Sequence, residues 1–265
     1  MVEKFNYTIH DIKDSINKLN INKGDNIYVS CNLANLGFPK IDSINLLPGY
    51  FFKSFKKKIS KKGTIIVPTH SFFLKDSKKE FNLKSTLCES GAFSSYILKK
   101  KNSIRQLHPL ASVTAIGKNS KLFCTNNSKN AYGLRSPFSR MIESNTKFIS
   151  IGIKYNLNCT QIHHLEQINK VPYRFFKEFE QRIKVSNKVK QESFYMHVLK
   201  KKFINFKRNR NKLIFLNFKK FYKIQKIKLG ANFIYLYDLT LFSQITDKLM
   251  KKNKYCWLGK KNASI

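Results

Sequence analysis

Thr160, His163 and Glu166 follow one another at three-residue spacing. In a helix, residues three apart occupy neighbouring parts of one face. The spacing therefore predicts a hydroxyl, an imidazole and a carboxylate standing together. Imidazole is the side chain best matched to proton transfer near neutral pH, and a carboxylate beside it fixes its tautomer and raises its basicity. Ordinary helices produce the same spacing with a histidine that is merely structural, so the triplet needs support from the rest of the chain. Two neighbours complicate it. Cys159 reads either as a nucleophile or as a small packing thiol, and His164 is a second imidazole.

The elements that must position these groups are legible around them. Residues 148–153 form an apolar run that reads as a buried strand, and a helix is predicted to open at Thr160 as its N-cap. The triplet would then sit at the mouth of a strand–helix turn. Upstream, Thr8 is a candidate cap for a helix carrying Ile9, Ile12, Ile16 and Leu19 at helical spacing. Residues 26–31 read as a buried strand, 41–60 as a helix kinked at Pro48-Gly49, and 64–70 as a second strand. Helix, strand, helix, strand predicts an α/β fold: one three-layer domain with a mainly parallel sheet flanked by helices. Ligands of such sheets sit beyond the carboxyl ends of strands, which here are Ser30 to Asn32 and Thr69 to Ser71. Further on, residues 113–117 read as a strand and Pro137 as the start of a helix. After residue 172, basic and apolar residues alternate as in strands with one wet face. A strand at 230–237 and a closing helix at 238–251 complete the chain. With no repeat and no linker visible, residues 1–265 read as a single domain.

Composition narrows the classes. No run of 18 apolar residues predicts a membrane span, and the N-terminal residues lack the apolar core of a signal peptide. Five scattered cysteines with no CxxC pair fit reduced thiols in a cytoplasm-like compartment. The formal net charge is +36, from 51 basic and 15 acidic residues. It implies either a polyanionic partner or compositional drift in a chain crowded with Lys, Asn, Ile and Phe. The Arg-rich or aromatic-interleaved signatures of nucleic-acid modules are lacking, so no nucleic acid is expected.

Four stretches, in this order, resemble the aminoglycoside 3-N-acetyltransferase family: Gly63-Thr64-Ile65-Ile66-Val67-Pro68-Thr69; Arg105-xx-His108-Pro109-xx-Ser112 followed by Gly117; Tyr132-Gly133-xx-Ser136-Pro137-Phe138; and Thr160-xx-His163-xx-Glu166. The resemblance covers about residues 20–180 well and the basic tail, 181–265, loosely. It implies that family's α/β fold and an acetyl-CoA-dependent N-acetyltransferase without a metal. His163 maps onto the family's general base, with Thr160 and Glu166 as its companions; His164 lies outside the motif. For the cosubstrate, resemblance and location point to Ser30, Cys31, Asn32 and Leu33 after the first strand, and to Arg105, His108 and Ser112, with Arg105 equally readable as a structural ion pair.

The sequence departs from the family where Val-His-Ser-Ser-Leu is usual, having Val29-Ser30-Cys31-Asn32-Leu33 instead. Its charge is also unlike what a polycationic aminoglycoside needs. Residues 171–175 resemble family members that acetylate nucleotide-linked amino sugars, and that acceptor is the expectation, with an aminoglycoside as the alternative. Two other classes remain as contrasts. One is a catalytically retired basic module binding an anionic surface. The other is a metal hydrolase built on His70, His108, His163 and Glu166, which lacks an HExxH motif.

Overall fold

In the computed structural model, residues 5–75, 77–154, 160–185, 188–206 and 224–258 are described. The chain opens with β1 (Phe5–Thr8) and α1 (Ile9–Asn17). Thr8 caps α1 as expected: its hydroxyl accepts from the Asp11 N–H, and the Asp11 carboxylate accepts from the Thr8 N–H. Next come β2 (Asn26–Cys31), β3 (Phe38–Lys40) and α2 (Leu47–Ile59). Pro48 lies in the first turn of α2, where a missing N–H costs nothing. It begins the helix rather than kinking a longer one, and residues Ile44–Leu46 form a separate 3₁₀ turn. β4 (Thr64–Pro68), the short β5 (Phe81–Asn82), α3 (Ala92–Leu98), β6 (Ile104–Arg105), β7 (Val113–Gly117) and α4 (Ser120–Cys124) follow. Then come α5 (Pro137–Glu143), β8 (Lys147–Ile151) and α6 (Ile162–Ile168). A long hairpin, β9 (Arg174–Val185) and β10 (Lys188–Leu199), precedes β11 (Gln225–Leu229), β12 (Asn232–Asp238) and α7 (Leu239–Lys252).

Seven strands form the main sheet in the order β11-β12-β8-β2-β4-β7-β6. The expected parallel arrangement holds for β8–β2 and β2–β4 only; the four outer pairings are antiparallel. The sheet is therefore mixed, not mainly parallel. The reason is local. β7 and β12 are each the return arm of a pair that reverses nearby, through residues 106–112 and through Gly230 at φ 57°.

Side-chain alternation along the central strands builds two cores. Ile27, Val29, Ile65, Val67, Ile149 and Ile151 face one side with α1, α2 and α3. Tyr28, Ile66 and Phe148 face the other with α4, α5, α6 and α7. Period-two alternation thus gives the three layers, a helix layer on each face of one sheet. The hairpin β9–β10 does not join this sheet. It pairs with β5 and lays Phe179, Ile183 and Phe194 on Leu74, Phe81 and Leu110, with Lys177, Lys184, Lys188 and Lys190 exposed. The one-wet-face reading is correct there, while residues 207–223 of the same lysine-rich stretch lie outside the described residues. Among the described residues, no helix is long and apolar enough to cross a membrane.

Candidate active site

The carboxyl ends of the parallel strands converge on a cleft of about 600 Å³. Ser30, Cys31, Asn32 and Leu33 line it from the end of β2, Pro68 and His70 from β4, and Ile153 from just past β8. Thr160 and the Ser90-Gly91-Ala92 entry to α3 complete its walls, with Phe72 and Glu89. The strand-end location is where the sequence placed a ligand. Gly152 lets β8 and β2 finish so close together. Its φ is 68°, and a Cβ there would stand 2.2 Å from the Asn32 carbonyl oxygen. The Gly152 carbonyl in turn accepts from the Asn35 side-chain amide at 2.8 Å. Burial pushes the Cys31 thiol up to about 12, so this sulfur stays protonated at neutral pH.

Thr160, on the cleft wall, leads into α6, which carries His163 and Glu166. His163 Nδ1 lies 2.7 Å from Glu166 Oε2, on a side chain 21% exposed for His163 and 1% for Glu166. Arg174 Nε lies 2.6 Å from the same Oε2, and the Tyr173 hydroxyl donates to Oε1 at 3.0 Å. Arg174 is itself anchored by a bond from Nη1 to the His197 carbonyl at 3.0 Å. Burial alone would raise the Glu166 carboxyl, but His163, Arg174 and Tyr173 together hold it below the ordinary carboxylate range. A buried anion fixed on both oxygens can do one thing to its neighbour: hold the imidazole proton on Nδ1 and so leave Nε2 as the basic nitrogen.

Thr160 lies one turn from His163 but does not cap the helix. The N-cap is Gln161, with no side-chain capping bond, and the turn is closed by the His163 N–H donating to the Thr160 carbonyl at 3.0 Å. Gln161 already has helical backbone angles and sends its amide nitrogen to the Tyr237 hydroxyl of β12 at 2.5 Å. The first turn is therefore secured by a tertiary bond instead of a hydroxyl cap. Cys159 lies outside the described residues.

The Tyr132-Gly133 and Ser136-Pro137-Phe138 stretch docks onto this helix. Tyr132 packs against His163 with ring centroids 5.4 Å apart. The Gly133 N–H donates to His164 Nδ1 at 3.2 Å, and a Cβ on Gly133 would collide with the Gln167 amide at 2.1 Å. The Ser136 hydroxyl donates to the Gly133 carbonyl at 2.6 Å and accepts from the Ser139 N–H at 3.3 Å, capping α5. His164 is thus a buried structural acceptor, as its place outside the motif suggested, and burial lowers its pKa to about 4.

Arg105, His108 and Ser112 do not reach the cleft. Arg105 is 5% exposed, and its guanidinium is committed to the Thr86 and Thr69 carbonyls at 2.6 and 2.7 Å, to Ser71 Oγ at 2.8 Å and to Ser112 Oγ at 2.9 Å, with the Phe81 ring 4.7 Å below. Ser112 donates to the Thr69 carbonyl at 2.7 Å. His108 is fully buried, accepts from the Ala111 N–H and packs edge-on against Phe194. The three were expected to touch the cosubstrate. Instead Arg105 and Ser112 tie down residues 69–71 through the Thr69 carbonyl and the Ser71 hydroxyl, while His108 is spent on packing against Phe194 and on the Ala111 N–H. Sequence reading did not foresee Tyr173 and Arg174 as partners of Glu166, nor Glu89 as a cleft wall. Among the described residues, no group of three or more His, Cys, Asp or Glu side chains could hold a metal ion.

A family model described as aminoglycoside 3-N-acetyltransferase matches residues 35–251. Comparison with curated protein sequences finds no match. Among solved structures, aminoglycoside acetyltransferase AAC(3)-IIb is similar with a TM-score of 0.78 at 17% identity, covering 95% of this chain and 98% of that one. The YokD protein from Bacillus subtilis gives 0.76 at 16%, covering 94% and 95%. AAC-IIIb in a binary complex with CoASH gives 0.76 at 15%, covering 98% and 100%. At these identities the structures establish a shared fold. The family model spans most of the chain and includes all four motif stretches, and this chain belongs to the aminoglycoside 3-N-acetyltransferase family.

Proposed function

We propose that the protein transfers the acetyl group of acetyl-CoA to the amine of an amino sugar, with His163 as general base. The observation that carries this reading is the contact of His163 Nδ1 with a buried carboxylate at 2.7 Å, beside a cleft at the strand ends. A sugar ammonium must lose a proton before its nitrogen can attack. Glu166 holds the Nδ1 proton, and Nε2 accepts the one the amine gives up. The neutral nitrogen then bonds the acyl carbon, the C–S bond breaks, and the further proton that nitrogen sheds goes to the departing thiolate, giving the amide and free CoASH. Thr160, on the cleft wall, is the hydroxyl placed to donate to developing negative charge. No covalent acyl-enzyme is required, because the thioester is already activated, and the Cys31 thiol is held protonated. Ser30, Cys31, Asn32 and Leu33 are the candidate cosubstrate contacts, supported by their place on the cleft wall and by the CoASH complex of AAC-IIIb.

For the acceptor, the charge of +36 supports an anionic, nucleotide-linked amino sugar, which a positive field concentrates. One observation favours a second reading, a cationic aminoglycoside: the described residues that line the cleft include Glu89 and no Lys or Arg. AAC-VIa has been solved with sisomicin, an aminoglycoside-type ligand of that protein. Free-thiol release from acetyl-CoA, measured over a panel of nucleotide-linked amino sugars and aminoglycosides, tests both. Turnover on the sugar nucleotides, falling as salt rises, supports the first acceptor. Efficient turnover on aminoglycosides alone replaces it with the second. Thiol release no faster than hydrolysis with every amine defeats the enzyme assignment.

A further inference from the structure

One imidazole lines the cleft and a second stands on the helix that follows Thr160, and their surroundings differ. His163 has a carboxylate on Nδ1. His70, on the cleft wall just past β4, has no carboxylate partner. Its backbone is held from both sides: the His70 N–H donates to Ser90 Oγ at 3.0 Å, and its carbonyl accepts from the Glu89 N–H at 2.8 Å. Its ring leans on Phe72 with centroids 5.0 Å apart. Beneath it, Arg105 and Ser112 fix the Thr69 carbonyl, so the residue cannot drift from the cleft. The Nε2 atom is buried and has no hydrogen-bond partner in the protein. A buried nitrogen without an acceptor is less costly bare than protonated, since orphaned N–H groups are the rarer case. This favours the tautomer with the proton on Nδ1, on a residue that lines the cleft.

Burial, with the fields of His108, His163 and Arg105, pulls the His70 pKa down to about 4. The ring is neutral, and its N–H remains a donor, throughout the pH range in which an amine can be acetylated. His163 has the surroundings of a base. His70 has those of a neutral donor.

We propose that His70 is a catalytic residue, donating its Nδ1–H to the thioester carbonyl oxygen as that oxygen gains charge. The inference rests on the acetyl-transfer reading. When the amine nitrogen bonds the acyl carbon, the carbonyl π pair moves onto oxygen, where the His70 N–H meets it. The pair returns as the C–S bond breaks, the amine proton goes to His163, and His70 keeps its own proton. A fixed donor aimed at charge that exists only in the transition state raises kcat rather than ground-state affinity.

The test compares His70→Ala and His70→Asn with wild type and with His163→Ala, reading kcat, KM for acetyl-CoA, and the Kd of CoASH by calorimetry. CoASH has no acyl carbonyl, so its binding reports the shape of the cleft alone. His70→Ala should lower kcat by about a hundredfold, the usual effect of removing one such donor, with the Kd of CoASH unchanged. The Asn amide nitrogen hangs from Cγ as Nδ1 does, so His70→Asn should recover about tenfold of that loss. Three results overturn the assignment: a His70→Ala kcat near wild type while His163→Ala is inactive, a CoASH Kd that weakens in step with kcat, or no recovery in His70→Asn. The first of these leaves the acetyl-transfer reading intact. Failure of wild type itself to release thiol with any amine overturns both.

Discussion

His164→Asn isolates one proton-linked contribution to stability. His164 is 6% exposed, accepts the Gly133 N–H on Nδ1, and has its pKa lowered by burial from 6.5 to about 4. The unfolded chain therefore binds more protons than the folded one between those two values. Stability contributed by the neutral ring is present above pH 6.5 and is lost as pH falls towards 4. Integrating over that window, wild type loses about 2 kcal/mol from this residue alone between pH 7 and pH 5. Asparagine hangs an oxygen from Cγ in the place of Nδ1, so it can accept the Gly133 N–H, and it does not titrate. The variant starts from lower stability because it is smaller, but its pH dependence is shallower. Urea melts of both proteins at pH 7 and pH 5, with equal m-values, measure the difference directly. The wild-type loss on acidification should exceed that of the variant by about 2 kcal/mol. Equal losses would mean that His164 is hydrated or already charged in the fold, and would refute its role as a neutral buried acceptor.

Two further outcomes follow from the same contacts. Arg105→Ala leaves the Thr86 carbonyl without its donor, while the Thr69 carbonyl keeps Ser112. It should destabilise the protein by about 1–3 kcal/mol, the cost of one buried acceptor left unpaired; a thermal midpoint equal to wild type would show that the clamp is dispensable. Glu166→Gln should reduce kcat by less than His163→Ala does, because a neutral amide can still orient the ring through Oε1 while losing the charge that raises its basicity. A rate unchanged by Glu166→Gln would make the carboxylate structural.

The strand–helix alternation of the first seventy residues was readable because each element is continuous in sequence. Asn26–Cys31 is a strand over the residues whose apolar run suggested it, Thr8 caps α1, and Pro137 opens α5. His163 and Glu166 were legible for the same reason: three-residue spacing in a helix is a local statement, and the 2.7 Å contact realises it. What the sequence hid is non-local. Tyr173 and Arg174 reach Glu166 from the turn into β9, after the chain has left α6. Arg105 carries the residue type of an anion-binding group, but its partners are carbonyls on segments remote in sequence, and nothing in the local pattern distinguishes a clamp from a ligand contact. The antiparallel edges depend on where β6 and β11 reverse, and the alternation does not encode that. Net charge does not say which residues line the cleft. Lysines crowd the outer faces of α2 and the hairpin, while Glu89 stands on the cleft wall.

The proton acceptor proposed for this cleft is His163. The direct measurement is the rate of acetyl-CoA-dependent amine acetylation by wild type, His163→Ala and His164→Asn, with circular dichroism and CoASH binding confirming that each is folded. His163→Ala should lose at least about a hundredfold in kcat, the scale of a general base, with CoASH binding retained, and His164→Asn should lose far less. Equal losses in the two variants, or a His163→Ala enzyme as fast as wild type, would contradict it.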